Sequence, residues 1–169
     1  MSKPIESTFP AYFKKYVDQV NEEDLKDAFK NQQDSISNFY QSIPEEKTNE
    51  PYAPGKWTLK ELLQHVIDTE RIFNYRSLAF ARKETASLPG FEENEYAANS
   101  NANERSWQSL CDELKVVRKS TEMLFTSFSE EALQSSGLAN NKSTTALAMG
   151  FITIGHFNHH RKIVEERYL

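Results

Sequence analysis

Four long stretches of helical periodicity, a scarcity of glycine and proline, and the lack of strand-like alternation predict an all-α fold. The form they favour is an up-down four-helix bundle with an extra N-terminal helix packed across one end. Of 169 residues, five are glycine and six proline, a composition that favours helices over a sandwich or barrel. That length suits a single domain over residues 1–169 with a core that needs no staples. The one cysteine, Cys111, excludes an intrachain disulfide framework. It falls on the same side of a helix as Leu110 and Leu114 and reads as a small core residue.

Pro10 can start the short N-terminal helix, through Val20, and Asn21 can cap a second that runs to about Tyr40, before Pro44. Pro51, Pro54 and Gly55 make the next segment an ordered loop. Thr58 and Glu61 then form a Thr-x-x-Glu capping box, followed by Leu59, Leu62, Leu63, Val66, Phe73 and Phe80 at helical spacing, so a long helix is expected to about Lys83. Residues 84–103 are too many for a simple turn; a short helical piece is expected around Asn94–Ala98, and so long a crossover often borders a site. A third long helix is expected from Ser106 to Phe128. Ser129 caps a short turn through Leu133, residues 137–143 form a loop, and Ser143 or Thr144 caps the last helix, which reaches Arg167.

Charge and hydropathy exclude several function classes. The formal charge of −5, without clustered lysine and arginine, argues against a nucleic-acid partner. No stretch approaches the roughly 20 apolar residues of a membrane span, and no basic-then-apolar leader opens the chain, so a cytoplasmic protein is expected. No glycine-rich phosphate loop is present, and the serines lack the partners of a serine hydrolase.

The chemistry concentrates in the histidines. Three of the four fall within Gly155-His156-Phe157-Asn158-His159-His160. At 100° per residue His156 and His160 lie about 40° apart, on the face that carries Met149, Ile152, Ile163 and Val164. Paired inward imidazoles at this spacing suit a divalent metal, although Phe157 stands where metalloproteases carry their glutamate. His159 projects roughly 70° to one side, towards the edge of the apolar face. His65, the one remaining histidine, sits in line with Thr69, Ile72 and Arg76 where a neighbouring helix would pass, and is the natural third ligand. A structural core role remains open for each. Arg76 can meet an anionic substrate, but a salt bridge at the bundle edge is the more ordinary outcome. Trp57 precedes the capping residue as a hydrophobic staple would, with the pocket mouth as its alternative position. Glu70 and Arg118 both face the core and are expected to pair, because an unpaired buried charge costs several kcal/mol. Asp68 points outward.

Two segments carry a family resemblance. Trp57-Thr58-Leu59-Lys60-Glu61-Leu62-Leu63-Gln64-His65-Val66-Ile67-Asp68-Thr69-Glu70-Arg71 and Gly155-His156-Phe157-Asn158-His159-His160 resemble the two signatures of the DinB superfamily, including its YfiT-like branch. Leu88-Pro89-Gly90-Phe91 and Val117-Arg118-Lys119 match as well, so the likeness covers most of residues 51–169. The resemblance implies a four-helix bundle holding a divalent metal, commonly zinc or nickel, on three histidines. Position by position these are His65, His156 and His160. Three neutral imidazoles leave an open coordination position, as in catalytic sites.

For similar proteins the implied activities are transfer of a low-molecular-weight thiol, such as bacillithiol, mycothiol or glutathione, to an electrophile, and metal-dependent hydrolysis. Thiol transfer is favoured here because no carboxylate shares the inward face of the histidine helix; Glu70 is the nearest candidate base and is assigned to Arg118. The sequence names no catalytic residue beyond the ligands. Homodimers are common among similar proteins. A non-catalytic, metal-stabilised module that binds a small ligand or a protein partner is the alternative.

Overall fold

The computed structural model describes residues 2–169, with all their side chains except those of Asp34 and Ser37. Helix α1 (Lys14–Val17) follows a 3-10 turn at Ala11–Phe13, and α2 spans Leu25–Gln41. The helix α3 (Leu59–Ala81) is followed by the short α4 (Glu93–Ala98), then α5 (Trp107–Thr126) and α6 (Glu130–Gln134). A hairpin of β1 (Ser136–Ala139) and β2 (Lys142–Thr145) leads into α7 (Ala146–Arg167). No helix among the described residues is long and apolar enough to cross a membrane.

Local chemistry accounts for most boundaries. The Thr58 capping box forms: Glu61 N–H donates to Thr58 Oγ1 at 3.1 Å and Thr58 N–H to Glu61 Oε2 at 2.8 Å. Lys83 ends the helix in the left-handed region, φ 62°. Ser106 and Ser129 cap α5 and α6 as expected. Three boundaries differ from the sequence reading. The cap of α2 is Asp24 rather than Asn21, its carboxylate accepting from the Lys26 N–H at 2.9 Å, where a negative charge also favours the helix N-terminus. The cap of α7 is Thr145, because Ser143 and Thr144 are taken up in β2, opposite Leu138 and Gly137. The expected loop over residues 137–143 is therefore a hairpin, turned by Asn140 and Asn141 at φ 50° and 57°. It packs on the end of α3 so closely that a Cβ on Gly137 would fall 2.1 Å from the Phe80 ring.

The N-terminal segment also differs. Instead of one helix from Pro10 to Val20, α1 is brief and lies across the middle of α7 rather than across a bundle end. Gly155 makes this crossing possible: a Cβ there would sit 1.9 Å from the Tyr16 carbonyl oxygen.

In the bundle, α3 and α2 occupy opposite corners, each packed on α5 and α7. The start of α5 meets the end of α2, where the Trp107 indole donates to Tyr40 O at 3.0 Å, so these two are antiparallel. By contrast α3 and α5 run the same way, Gln64 meeting Arg105, Glu70 meeting Arg118 and Asn74 meeting Thr121. Helix α7 opposes α3, with Tyr168 on Trp57 and His156 against Phe73. The four long helices thus run up, down, down, up rather than alternating throughout. The crossover from Arg82 to Ser106 is long enough to retrace the roughly 34 Å of α3 before α5 begins.

The apolar core has two parts. One surrounds Phe73, Phe80, Phe125, Met149 and Phe151, the other Tyr40, Leu63, Trp107, Leu114 and Phe157. Cys111 belongs to the second, and burial pushes its thiol up to about 11, which fits the structural reading. Each long helix passes from one part to the other at a polar residue: Gln32, Glu70, Arg118 and His156.

Glu70 and Arg118 pair as expected. Arg118 Nη2 lies 2.8 Å from Glu70 Oε2, both side chains being buried. The Thr121 hydroxyl is 2.6 Å from the other carboxylate oxygen, and Arg118 Nη1 donates to Gln32 Oε1 at 2.6 Å. Gln32 in turn donates to Ile154 O and Asn158 Oδ1.

Candidate metal centre

Antiparallel packing of α3 on α7 brings His65 against the two histidines that the helical repeat sets one turn apart. His156 Nε2 lies 3.2 Å from His65 Nε2 and 3.1 Å from His160 Nε2. One nitrogen from each ring lies within 4.8 Å of the others. The three side chains are 5%, 5% and 8% exposed. Burial lowers the His65 pKa to about 4, and burial with mutual repulsion holds His156 and His160 well below the usual histidine range. All three imidazoles are neutral at pH 7.

Hydrogen bonding among themselves satisfies this group poorly, since each neutral imidazole carries one N–H and His156 Nε2 faces two others. His160 Nδ1 is also buried without a partner. The donor set suits a cation better. Nitrogens about 2.0–2.1 Å from a tetrahedral zinc lie roughly 3.4 Å from each other, close to the spacings around His156. The group can therefore hold a divalent metal of borderline softness.

Aromatic rings fix the imidazoles. Tyr16 and Phe73 pack edgewise on His156, with centroids 5.2 and 5.8 Å away, and Trp57 lies 4.9 Å from His65. Trp57 thus packs on His65 and the core at the helix start, and is not among the residues that line the cavity. His159 falls outside the cluster, half-buried against Tyr16 and 3.4 Å from Gln19 Nε2. Tyr16 escaped the sequence reading because the N-terminal helix was placed at a bundle end; the signal that points to it is Gly155, a mid-helix glycine that admits a crossing chain.

His65 and His156 face a cavity of about 340 Å³ closed by the N-terminal segment, the crossover and the hairpin. The crossover thus borders the site, through Gly90, Phe91, Glu92 and Glu93. The two glutamates are exposed, and Glu70 is turned into its own network. Asp68 is half-buried beside Gln64 rather than fully solvated, and is not part of the lining. Arg76 departs from the salt-bridge reading. It forms no ion pair among the described residues; Nη2 donates instead to Pro89 O of the crossover at 2.9 Å.

No curated protein matches this sequence. Among solved structures, the chain is similar to YfiT from Bacillus subtilis, described as a probable metal-dependent hydrolase with an unusual four-helix bundle topology. The TM-score is 0.73 at 14% identity, covering 97% of this chain and 90% of that one. It is also similar to a mycothiol-dependent maleylpyruvate isomerase, with a TM-score of 0.65 at 14% identity, covering 85% of this chain but only 59% of the isomerase. These likenesses describe the fold. Residues 28–164 match the family model itself, and the chain belongs to the DinB superfamily.

Proposed function

We propose that His65, His156 and His160 hold a divalent metal, zinc or nickel, and that the protein is a metal-dependent enzyme acting on a small molecule in the adjoining cavity. The observation that carries this reading is the convergence of three buried, neutral imidazole nitrogens beside a cavity. A metal bound there supplies Lewis acidity, lowering the pKa of a thiol or water that coordinates it. The chain's own residues do the rest. Tyr16, Phe73 and Trp57 pack on the rings, and the crossover and hairpin form two sides of the cavity. No buried carboxylate among the described residues lines the cavity to serve as general base for water. That favours transfer of a low-molecular-weight thiol to an electrophile over hydrolysis. The mycothiol dependence of one structural neighbour supports the thiol, and the hydrolase description of the other supports the second activity.

The test is to assay zinc-loaded and nickel-loaded protein for conjugation of bacillithiol, mycothiol or glutathione to an aryl halide or epoxide, and for ester and amide hydrolysis. Turnover of a thiol pair that chelator abolishes supports the proposal. Hydrolysis alone reassigns the reaction, and no turnover at full metal occupancy leaves a binding module.

A further inference from the structure

His65, Thr69 and Arg76 all line the cavity from α3. With a rise of 1.5 Å per residue, Thr69 lies roughly 6 Å and Arg76 roughly 16 Å along the axis from His65. Thr69 is 2% exposed, and its hydroxyl is buried without a hydrogen-bond partner. Arg76 is 7% exposed, with the Phe91 ring 6.0 Å from its guanidinium carbon. A guanidinium carries five N–H donors and stays charged; the Pro89 carbonyl takes one of them. Burial pulls its pKa down, as expected of a cation withdrawn from water without a counter-ion.

The other charges on the cavity are not buried with it. Glu92 and Glu93 are exposed, and the Glu92 carboxylate already accepts from the Asn94 backbone and side chain. Lys15 is exposed at the mouth, with its ammonium 4.8 Å from the Tyr16 ring centroid. Among the described residues Arg76 is therefore the one buried charge on the lining, whose other end carries neutral imidazoles.

We infer that the cavity binds a small molecule bearing an oxyanion, carboxylate or phosphate, which Arg76 grips, while the other end of the ligand reaches the histidines and Thr69 hydrogen-bonds its middle. Arginine suits this role because its planar fork matches an oxyanion with two parallel hydrogen bonds. The inference rests on the metal-site reading only for the identity of the reacting end.

The probes are 6-mercaptohexanoate and 6-mercaptohexanol, which share a thiol and differ in the terminal charge. They are titrated calorimetrically into zinc-loaded wild type, Arg76→Met and Arg76→Lys, each first checked for helix content by circular dichroism. The carboxylate probe is expected to bind wild type at least about tenfold more tightly than the alcohol, with the preference lost in Arg76→Met and partly kept in Arg76→Lys. Equal affinities in wild type, or an undiminished preference in Arg76→Met, overturn the inference. Should neither thiol bind the zinc-loaded protein, the thiol reading of the site has failed, and acetate and inorganic phosphate titrated into metal-free protein decide the matter alone. A dissociation constant that rises about tenfold or more in Arg76→Met upholds the oxyanion site and shows which anion it prefers. No dependence on Arg76 removes it. If Arg76→Met does not fold, a preference reduced in Arg76→Lys, which keeps the charge but not the fork, supports the inference, and full retention there overturns it.

Discussion

The Glu70–Arg118 network and the three-histidine cluster lie little more than a helical turn apart on α3, and both are almost wholly withdrawn from water. In the first, a carboxylate meets a guanidinium, a hydroxyl and, through Gln32, the backbone of α7. The Arg118 Nε and, on Thr121, the Asn74 Oδ1 are left over, with the Phe29 and Phe157 rings 5.8 and 5.5 Å from the guanidinium carbon. In the second, three imidazole nitrogens face one another, and no ion pair among the described residues joins them. A closed network specifies how four helices meet and needs nothing from outside. An open one, packed by aromatic rings and opening on a cavity, leaves nitrogens that a cation can take. The difference separates structure from function in residues that the sequence presents side by side.

Breaking the closed network has the largest expected effect. Glu70→Ala leaves Arg118 buried without its counter-charge and is expected to cost about 3–5 kcal/mol, read as a lower urea midpoint. A loss below about 1 kcal/mol would mean that Arg118 finds water and that the network is not what holds the helices in register.

Next comes the open cluster. Zinc at a hundredfold its dissociation constant is expected to stabilise wild type by about 2.7 kcal/mol in thermal unfolding, and to leave His156→Ala unmoved. Equal stabilisation of both would place zinc elsewhere.

The smaller effect is one of pH. The folded His65 pKa is about 4, below the ordinary value of 6.5, and burial holds those of His156 and His160 well below it too. Between those values the unfolded chain binds more protons than the folded one, so the stability present above about 6.5 is lost as pH falls towards 4. Metal-free wild type should show this slope in urea melts at successive pH values, and His65→Ala a shallower one. A flat profile would mean that the imidazoles are solvated.

Legibility in the sequence followed the range of the interaction. The Thr58 capping box, the serine caps of α5 and α6, and the shared face of His156 and His160 rest on residues three or four apart, and sequence spacing expresses them fully. The Glu70–Arg118 pair was legible because two charges on apolar faces have few other solutions. What escaped depends on contacts remote in sequence. The crossing of α1 over α7 rests on Gly155 meeting the Tyr16 backbone, and the hairpin on Gly137 meeting Phe80. The hairpin strands are too short and polar to alternate visibly. The parallel course of α3 and α5 is fixed by a crossover whose path no periodicity encodes, and the same crossover sets the Pro89 carbonyl on Arg76.

The most direct test of the central claim is the metal content, by mass spectrometry, of protein purified without a nickel column, comparing wild type with His65→Ala, His160→Ala and His159→Ala. About one equivalent per chain in wild type and His159→Ala, lost in the other two, is the predicted result. Wild type that takes up no metal after dialysis against zinc or nickel, or His65→Ala and His160→Ala variants that keep it, would contradict the account.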